Sequence, residues 1–177
     1  MATGASHKCM KTITRFISIF TLSIVAALAV AAQTNFASID GGRIDVEGHS
    51  GKVVLLSVGA AWLPLSIKQA EYTNALAKKF AGKDVVVYFV ATDPTRSGAK
   101  NFKSDADLKA FGMTNRLIVP ILRDSEGAVT SRKYGVEQVP SFILIDKNGN
   151  PSGEVFGGID PKYDVSISIA KAIDKLL

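Results

Sequence analysis

Two almost uninterrupted apolar runs constrain the fold of this chain more than any other feature. Val53–Val58 has the sequence Val-Val-Leu-Leu-Ser-Val, and Val85–Ala91 is Val-Val-Val-Tyr-Phe-Val-Ala. Runs of this length and β-branched content are typical of strands covered on both faces. A segment of helical periodicity begins after Pro64 and ends near Gly82. Its predicted apolar stripe consists of Leu65, Tyr72, Leu76 and Phe80. Together these segments predict a βαβ unit with a parallel strand pair.

The regions before and after this unit predict hairpins. Residues 36–46 alternate around the turn Asp40-Gly41-Gly42, which is typical of a β-hairpin. A buried strand over Phe142–Ile145 is followed by the turn Asp146–Gly149 and a returning strand over Glu154–Phe156. A last helix is predicted to begin at Asp160-Pro161, the cap and the first helical residue.

Shorter elements are predicted between the βαβ unit and the second hairpin. Residues 93–104 predict a loop, and Asp105–Phe111 predicts a short helix. Val119–Leu122 predicts a short strand at a sheet edge, because its proline cannot donate to the ladder. Asp124–Gly127 predicts a turn into a helix that ends at Tyr134-Gly135. The whole order predicts an α/β fold: a central mixed sheet with a βαβ unit, a C-terminal ββα unit and helices on both faces.

The N-terminal region has the layout of a secretory signal peptide. Three basic residues, Lys8, Lys11 and Arg15, precede an uncharged run of 17 residues, 16–32, that closes on Ala-Val-Ala-Ala. We predict that residues 1–32 are a signal peptide, with Met10 as an alternative start, and that residues 33–177 form a periplasmic or secreted domain. A membrane anchor is the alternative, because a run of this length is near the lower limit for a span.

Composition excludes several function classes. The only cysteine, Cys9, precedes the predicted signal core, so the exported protein would form no disulfide of its own. Charges of both signs are interspersed, with no basic cluster after residue 32 that would favour nucleic acid. His7 and His49 are remote in sequence, and we expect neither a metal site nor a cofactor. Membrane contact is expected only if the N-terminal segment stays uncleaved.

Several motifs in a fixed order resemble the exported, TlpA-like branch of the thioredoxin-like redoxins. They are Gly51–Leu55, Trp62-x-Pro64, Tyr134–Val136, Val139–Asp146 and Asn148-Gly149. The resemblance covers about residues 36–177 and implies a thioredoxin-like fold. It also implies the activity of that family, in which a first cysteine attacks a substrate disulfide and a second resolves the mixed disulfide.

Leu63 and Ser66 occupy the positions at which the family carries its two cysteines. The first cysteine of the family lies at a helix N-terminus, where the helix dipole and free N–H groups stabilise its thiolate. Leu63 has no ionisable group, and no histidine lies near Ser66 in sequence to activate its hydroxyl. A buried acid common in thioredoxins is replaced by Ser57. Peroxiredoxins and glutathione peroxidases also need a cysteine or selenocysteine in this loop, so we expect neither dithiol nor peroxidase chemistry.

The resemblance also implies a peptide-docking groove beside this loop. A cis Val139–Pro140 bond would face the loop, and the Val139 backbone would offer strand-like hydrogen bonds to a bound peptide. The candidate partner-binding residues are Trp62, Leu63, Pro64, Leu65, Val139 and Pro140. Structural alternatives remain: the cis bond shapes the chain whatever binds, and the leucines could pack on the core. For Trp62 we favour core packing over an exposed binding anchor.

Three functions are therefore open at this point. The first is a non-catalytic exported protein that binds a peptide or protein partner through the degenerate loop and the proline groove. The second is a thiol–disulfide oxidoreductase that acts by an unrecognised route or is one by family membership only. The third is a structural subunit of a periplasmic complex whose groove is filled by another chain. The absence of cysteine after residue 32 argues against the second, and nothing in the sequence separates the first from the third.

Overall fold

The computed structural model of the chain describes Met1, residues 34–160 and residues 162–177. The predicted signal peptide, the alternative start at Met10 and Cys9 lie outside the described residues. In the part of the chain that is described, no helix is long and apolar enough to cross a membrane.

One mixed sheet forms the centre of the domain. Its strands are β1 (Asn35–Ser38), β2 (Arg43–Asp45), β3 (Val53–Gly59), β4 (Val85–Ala91), β5 (Ile121–Arg123), β6 (Ser141–Ile145) and β7 (Phe156–Gly157). Their order across the sheet is β2-β1-β5-β4-β3-β6-β7. The β3–β4 and β4–β5 pairs are parallel, and the other pairs are antiparallel. The two long apolar runs are therefore the central strands β3 and β4, as predicted.

Helices cover both faces of this sheet. They are α1 (Leu65–Lys79), α2 (Asp105–Thr114), α3 (Ala128–Tyr134) and α4 (Val165–Leu176). Val53 and Leu55 of β3 pack with α1 and α4 on one face, where α2 covers the neighbouring part of β4 and β5. Val54 and Leu56 pack with Tyr134 of α3 on the other face. Successive side chains of β3 thus point to opposite faces of the sheet, and helices cover both faces, so every residue of β3 is buried. The predicted α/β architecture is confirmed.

The prediction that the short strand lies at a sheet edge is wrong. β5 lies between β4 and β1, because the N-terminal hairpin pairs along its other side, with Ala37 opposite Arg123. Pro120 immediately precedes the strand, where its missing N–H costs no ladder bond. Its carbonyl accepts a hydrogen bond from the Phe89 N–H at 3.1 Å.

Two further boundaries differ from the predictions. The last helix begins at Val165, where the Asp164 carboxylate accepts a hydrogen bond from the Ser166 N–H. The Asp160 carboxylate instead accepts from the Lys162 N–H in the preceding turn. Both aspartates are plausible caps in sequence, and the folded chain uses the later one. The returning strand β7 is shorter than predicted and contains only Phe156–Gly157.

Candidate functional site

The fold brings the Trp62–Ser66 loop and the Val139–Pro140 segment to the same edge of the sheet. The loop follows the C-terminal end of β3 and leads into α1. β6 is antiparallel to β3, with Val58 opposite Ser141, so the chain entering β6 lies beside the chain leaving β3. The Val139–Pro140 peptide bond is cis. Pro140 itself is buried, and its carbonyl accepts from the Gly158 N–H at 3.0 Å.

Trp62 is the only tryptophan of the chain and is 45% exposed. It lines two cavities. The first, of about 350 Å³, is also lined by Val139 and by Glu126, Gly127, Thr130 and Ser131, and we call it the Trp62–Val139 groove. The second, of about 450 Å³, also contains Leu63, Pro64, Ile67 and Phe111, and we call it the α1–α2 groove. The interpretation of Trp62 as a core residue is therefore wrong.

The remaining candidate binding residues are not all brought together. Leu63 is half-buried and Pro64 exposed, and both line the α1–α2 groove. Leu65 is 41% exposed, so its predicted place on the buried stripe of α1 is wrong, and it lines neither groove. Pro140 lines neither groove. Sequence reasoning missed Ile67, which is 53% exposed on the wall of the α1–α2 groove.

The Trp62–Ser66 loop contains no group that can act as a nucleophile on a bound substrate. Leu63 is a hydrocarbon. The Ser66 side chain is fully buried, and its hydroxyl oxygen accepts a hydrogen bond from the Ala60 N–H at 3.2 Å. The His49 ring is hydrogen-bonded to the Tyr88 hydroxyl at 2.9 Å. Ser66 thus lacks both access to solvent and the neighbouring base that serine catalysis needs.

Gln69 fixes the start of α1 against the sheet. Its Nε2 donates to the Val58 carbonyl of β3 at 2.8 Å and to the Ser141 carbonyl of β6 at 3.2 Å. The side chain is fully buried. Gly59 leaves room for it, because a Cβ there would lie 2.0 Å from the Gln69 Oε1. One amide therefore joins the two sides of the candidate site.

A buried carboxyl group lies behind the loop and was not found by sequence reasoning. Asp93 follows β4, whose C-terminal end lies beside that of β3 because the two strands are parallel. Its Oδ2 accepts from the Ala61 N–H at 2.9 Å, whereas its Oδ1 has no hydrogen-bond partner among the described residues. Burial raises the pKa of Asp93 above its ordinary value, and the bond from Ala61 opposes this. The signal available in the sequence was an aspartate two residues after a buried parallel strand.

The position of the family's buried acid has a different role here. Ser57 is fully buried and its hydroxyl is hydrogen-bonded to that of Thr73 at 2.7 Å. Among residues 34–160 and 162–177, no group of three or more His, Cys, Asp or Glu side chains is placed to hold a metal ion. The described site is thus a pair of grooves around an exposed tryptophan.

Residues 26–150 match the model of the AhpC/TSA family. The chain belongs to this family. Thiol-disulfide oxidoreductase ResA of Bacillus thuringiensis subsp. konkukian is 30% identical over 119 residues, which are 67% of this chain and 63% of that protein. The chain thus spans slightly less than two thirds of the curated relatives that it matches.

Solved structures of thioredoxin-like proteins resemble this member of the AhpC/TSA family. The exposed lipoprotein thioredoxin Etrx1 of Streptococcus pneumoniae has a TM-score of 0.64 and 27% identity, over 82% of this chain and 100% of that one. A secreted disulfide oxidoreductase of Mycobacterium tuberculosis has a TM-score of 0.62 and 18% identity, over 81% of this chain and 96% of that one. The fold is therefore thioredoxin-like, as the sequence motifs predicted.

Proposed function

We propose that this protein is a non-catalytic, exported member of its family that binds an extended segment of a partner protein in the Trp62–Val139 groove. The observation that carries the proposal is the exposure of Trp62. A large aromatic side chain that remains 45% exposed on the wall of a groove is the kind of residue that dominates binding energy at protein interfaces.

The Val139 segment of the groove supports binding of an extended chain. Val139 is half-buried and lines the groove. Its backbone N–H and C=O make no hydrogen bond to another described residue. Unpaired backbone groups next to a strand can bind a peptide by strand addition, in which the main chain supplies affinity and the side chains supply specificity.

The proposed absence of redox chemistry is supported by the residues at the family's cysteine positions. Thiol–disulfide exchange begins with attack by a thiolate, and position 63 is leucine. The only sulfhydryl of the chain is that of Cys9, in the predicted signal peptide. Thiol–disulfide oxidoreductases are among the relatives, and this protein would retain their scaffold without their reaction.

Export is part of the proposal. It is supported by the signal-like layout of residues 1–32. Two of the similar solved structures belong to proteins described as secreted or as an exposed lipoprotein. N-terminal sequencing of the protein from cell fractions tests it, with a new terminus at Ala32 or Gln33 as the expected result. Retention of the apolar run in the membrane fraction would establish the anchor instead.

Binding is tested with fluorescently labelled, unstructured, cysteine-free peptides and the full-length chain, by fluorescence anisotropy. Trp62→Ala should weaken binding at least tenfold, about 1.4 kcal/mol. Ile167→Ala is the matched control, because Ile167 is 55% exposed on α4 and lines neither groove. Equal affinities for the two variants would contradict the proposal. Affinity purification from the native compartment then distinguishes the two non-catalytic functions. Many co-purified proteins would indicate a binding protein, and one stoichiometric partner would indicate a structural subunit.

A further inference from the structure

The Trp62–Val139 groove is acidic, although the chain as a whole is basic. Glu126 and Glu137 line it, and among the described residues no other ionisable side chain does. The whole chain has 21 basic and 16 acidic residues. The acidic character of the groove therefore does not follow from the overall composition.

Neither carboxylate is neutralised by a described residue. The side chains of Glu126 and Glu137 are exposed, and in the described part of the chain neither takes part in an ion pair. The nearest basic residues in sequence, Arg123 and Lys133, are absent from the lining of the groove and form ion pairs with other carboxylates. Both negative charges are thus available to a bound partner.

The two glutamates come from different segments of the chain, Glu126 from the turn before α3 and Glu137 from the segment after α3. Glu126 is fixed by a hydrogen bond from its N–H to the Thr92 carbonyl at 2.9 Å, at the end of β4. Glu137 is two residues before Val139, in the segment with the unpaired backbone groups. A segment lying along Val139 and contacting Trp62 therefore lies in a groove that carries both negative charges.

We infer that the partner segment is cationic: an extended stretch with an apolar residue against Trp62 and a lysine or arginine within two residues of it. The inference rests on the proposed function and adds the chemistry of the occupant. Complementary charge favours the correct partner, whereas an acidic segment would bring like charges together. Alternate side chains of an extended segment lie on one face, so a residue that faces Trp62 and a basic residue two positions away can both face the groove.

The test is a set of three labelled, cysteine-free peptides that share one apolar centre and differ only in flanking lysine, glutamine or glutamate. With the full-length chain at low salt, affinity should fall in the order lysine, glutamine, glutamate, by roughly two- to fivefold per step. The differences should shrink in high salt, because salt screens exposed charges.

The double variant Glu126→Gln, Glu137→Gln should bind all three peptides with the affinity of the glutamine peptide. The control Glu71→Gln, Asp84→Asn changes net charge equally, at residues that do not line the groove, and should preserve the order. Equal binding of the three peptides by the unmodified chain would overturn the charge inference and leave the groove proposal standing. Failure of every peptide to bind would overturn both.

Discussion

Asp93 is the residue whose environment departs most from that of an ordinary surface carboxylate. It is fully buried behind the Trp62 loop and accepts one hydrogen bond from the loop backbone. The guanidinium of Arg123 opposes the shift in pKa, but less than burial raises it. The protonated form of Asp93 is therefore favoured by folding, and the folded protein should show this as a pH-dependent stability.

Asp93→Asn tests that linkage. The raised pKa means that the folded state binds the proton more readily than the unfolded state, whose carboxyl has a pKa near 3.8. The stability of the unmodified protein relative to the variant should therefore be greatest below about pH 3.8 and fall as the pH rises through the folded pKa. Urea denaturation between pH 3 and pH 7 measures this difference. The exposed control Asp84→Asn should show no such trend, and a difference that grows with pH would refute the account of Asp93.

Cysteines introduced at positions 63 and 66 test whether this chain has lost only the two sulfurs of the family or also the loop geometry that makes them reactive. Leu63→Cys with Ser66→Cys, in a Cys9→Ala background, should form a disulfide, because residues three apart at a helix start can meet. The thiol at position 63 should have a pKa below the free value of about 8.5. Partial disulfide reductase activity is expected, and Pro140→Ala should weaken it.

Thiol counting under mild oxidant and pH-dependent alkylation provide the measurements for this double variant. Leu63→Cys alone is the control, because it cannot close the bond. A folded double variant that keeps two free thiols would show that the loop does not correspond to that of the thiol–disulfide oxidoreductases.

At the scale of elements, Gln69 connects α1 to both β3 and β6. Gln69→Ala removes the hydrogen bonds to the Val58 and Ser141 carbonyls and should lower the free energy of unfolding by about 1–3 kcal/mol. The control Lys78→Ala, at an exposed position of the same helix, should change it by less than about 0.5 kcal/mol. Urea denaturation of the two variants gives the comparison, and equal midpoints would exclude a structural role for the Gln69 amide.

The elements also show how far local sequence predicts this fold. β3 and β4 were predictable because each is a continuous apolar run whose burial follows from its own composition. The central position of β5 was not, since it depends on a pairing with β1, more than 80 residues earlier in the chain. The start of α4 was missed because Asp160 and Asp164 are equally good local caps.

The sequence predicted which residues form the candidate site better than it predicted which of them are exposed. The positions of Trp62, Leu63 and Ser66 came from their place between a strand and a helix. Whether Trp62 is buried depends on what packs against it in the fold, where it lines a groove and remains exposed. Asp93 could not be assigned as buried from sequence, because its burial arises from strands and loops that meet only in the fold.

For the whole molecule, the account predicts a thioredoxin-like domain without redox turnover. Full-length Cys9→Ala protein should reduce neither insulin disulfides nor hydrogen peroxide above the rate without protein, since no other cysteine is present. The unmodified chain should be equally inactive if Cys9 has no catalytic role. Turnover by the variant would require a route that does not use sulfur of this chain.

The central claim is that the groove binds an extended partner without any cysteine in either molecule. The fluorescence of Trp62 reports on this directly, because it is the only tryptophan and lines the groove. Titration of full-length Cys9→Ala protein with a cysteine-free, tryptophan-free peptide that has lysine beside an apolar centre should shift its emission to shorter wavelength, saturably, as the indole is buried. A control peptide of the same sequence that lacks the apolar centre should not produce the shift. At about millimolar peptide, even a weak complex with a binding free energy of about −4 kcal/mol would be detected. An emission spectrum that stays unchanged up to that concentration would contradict the account.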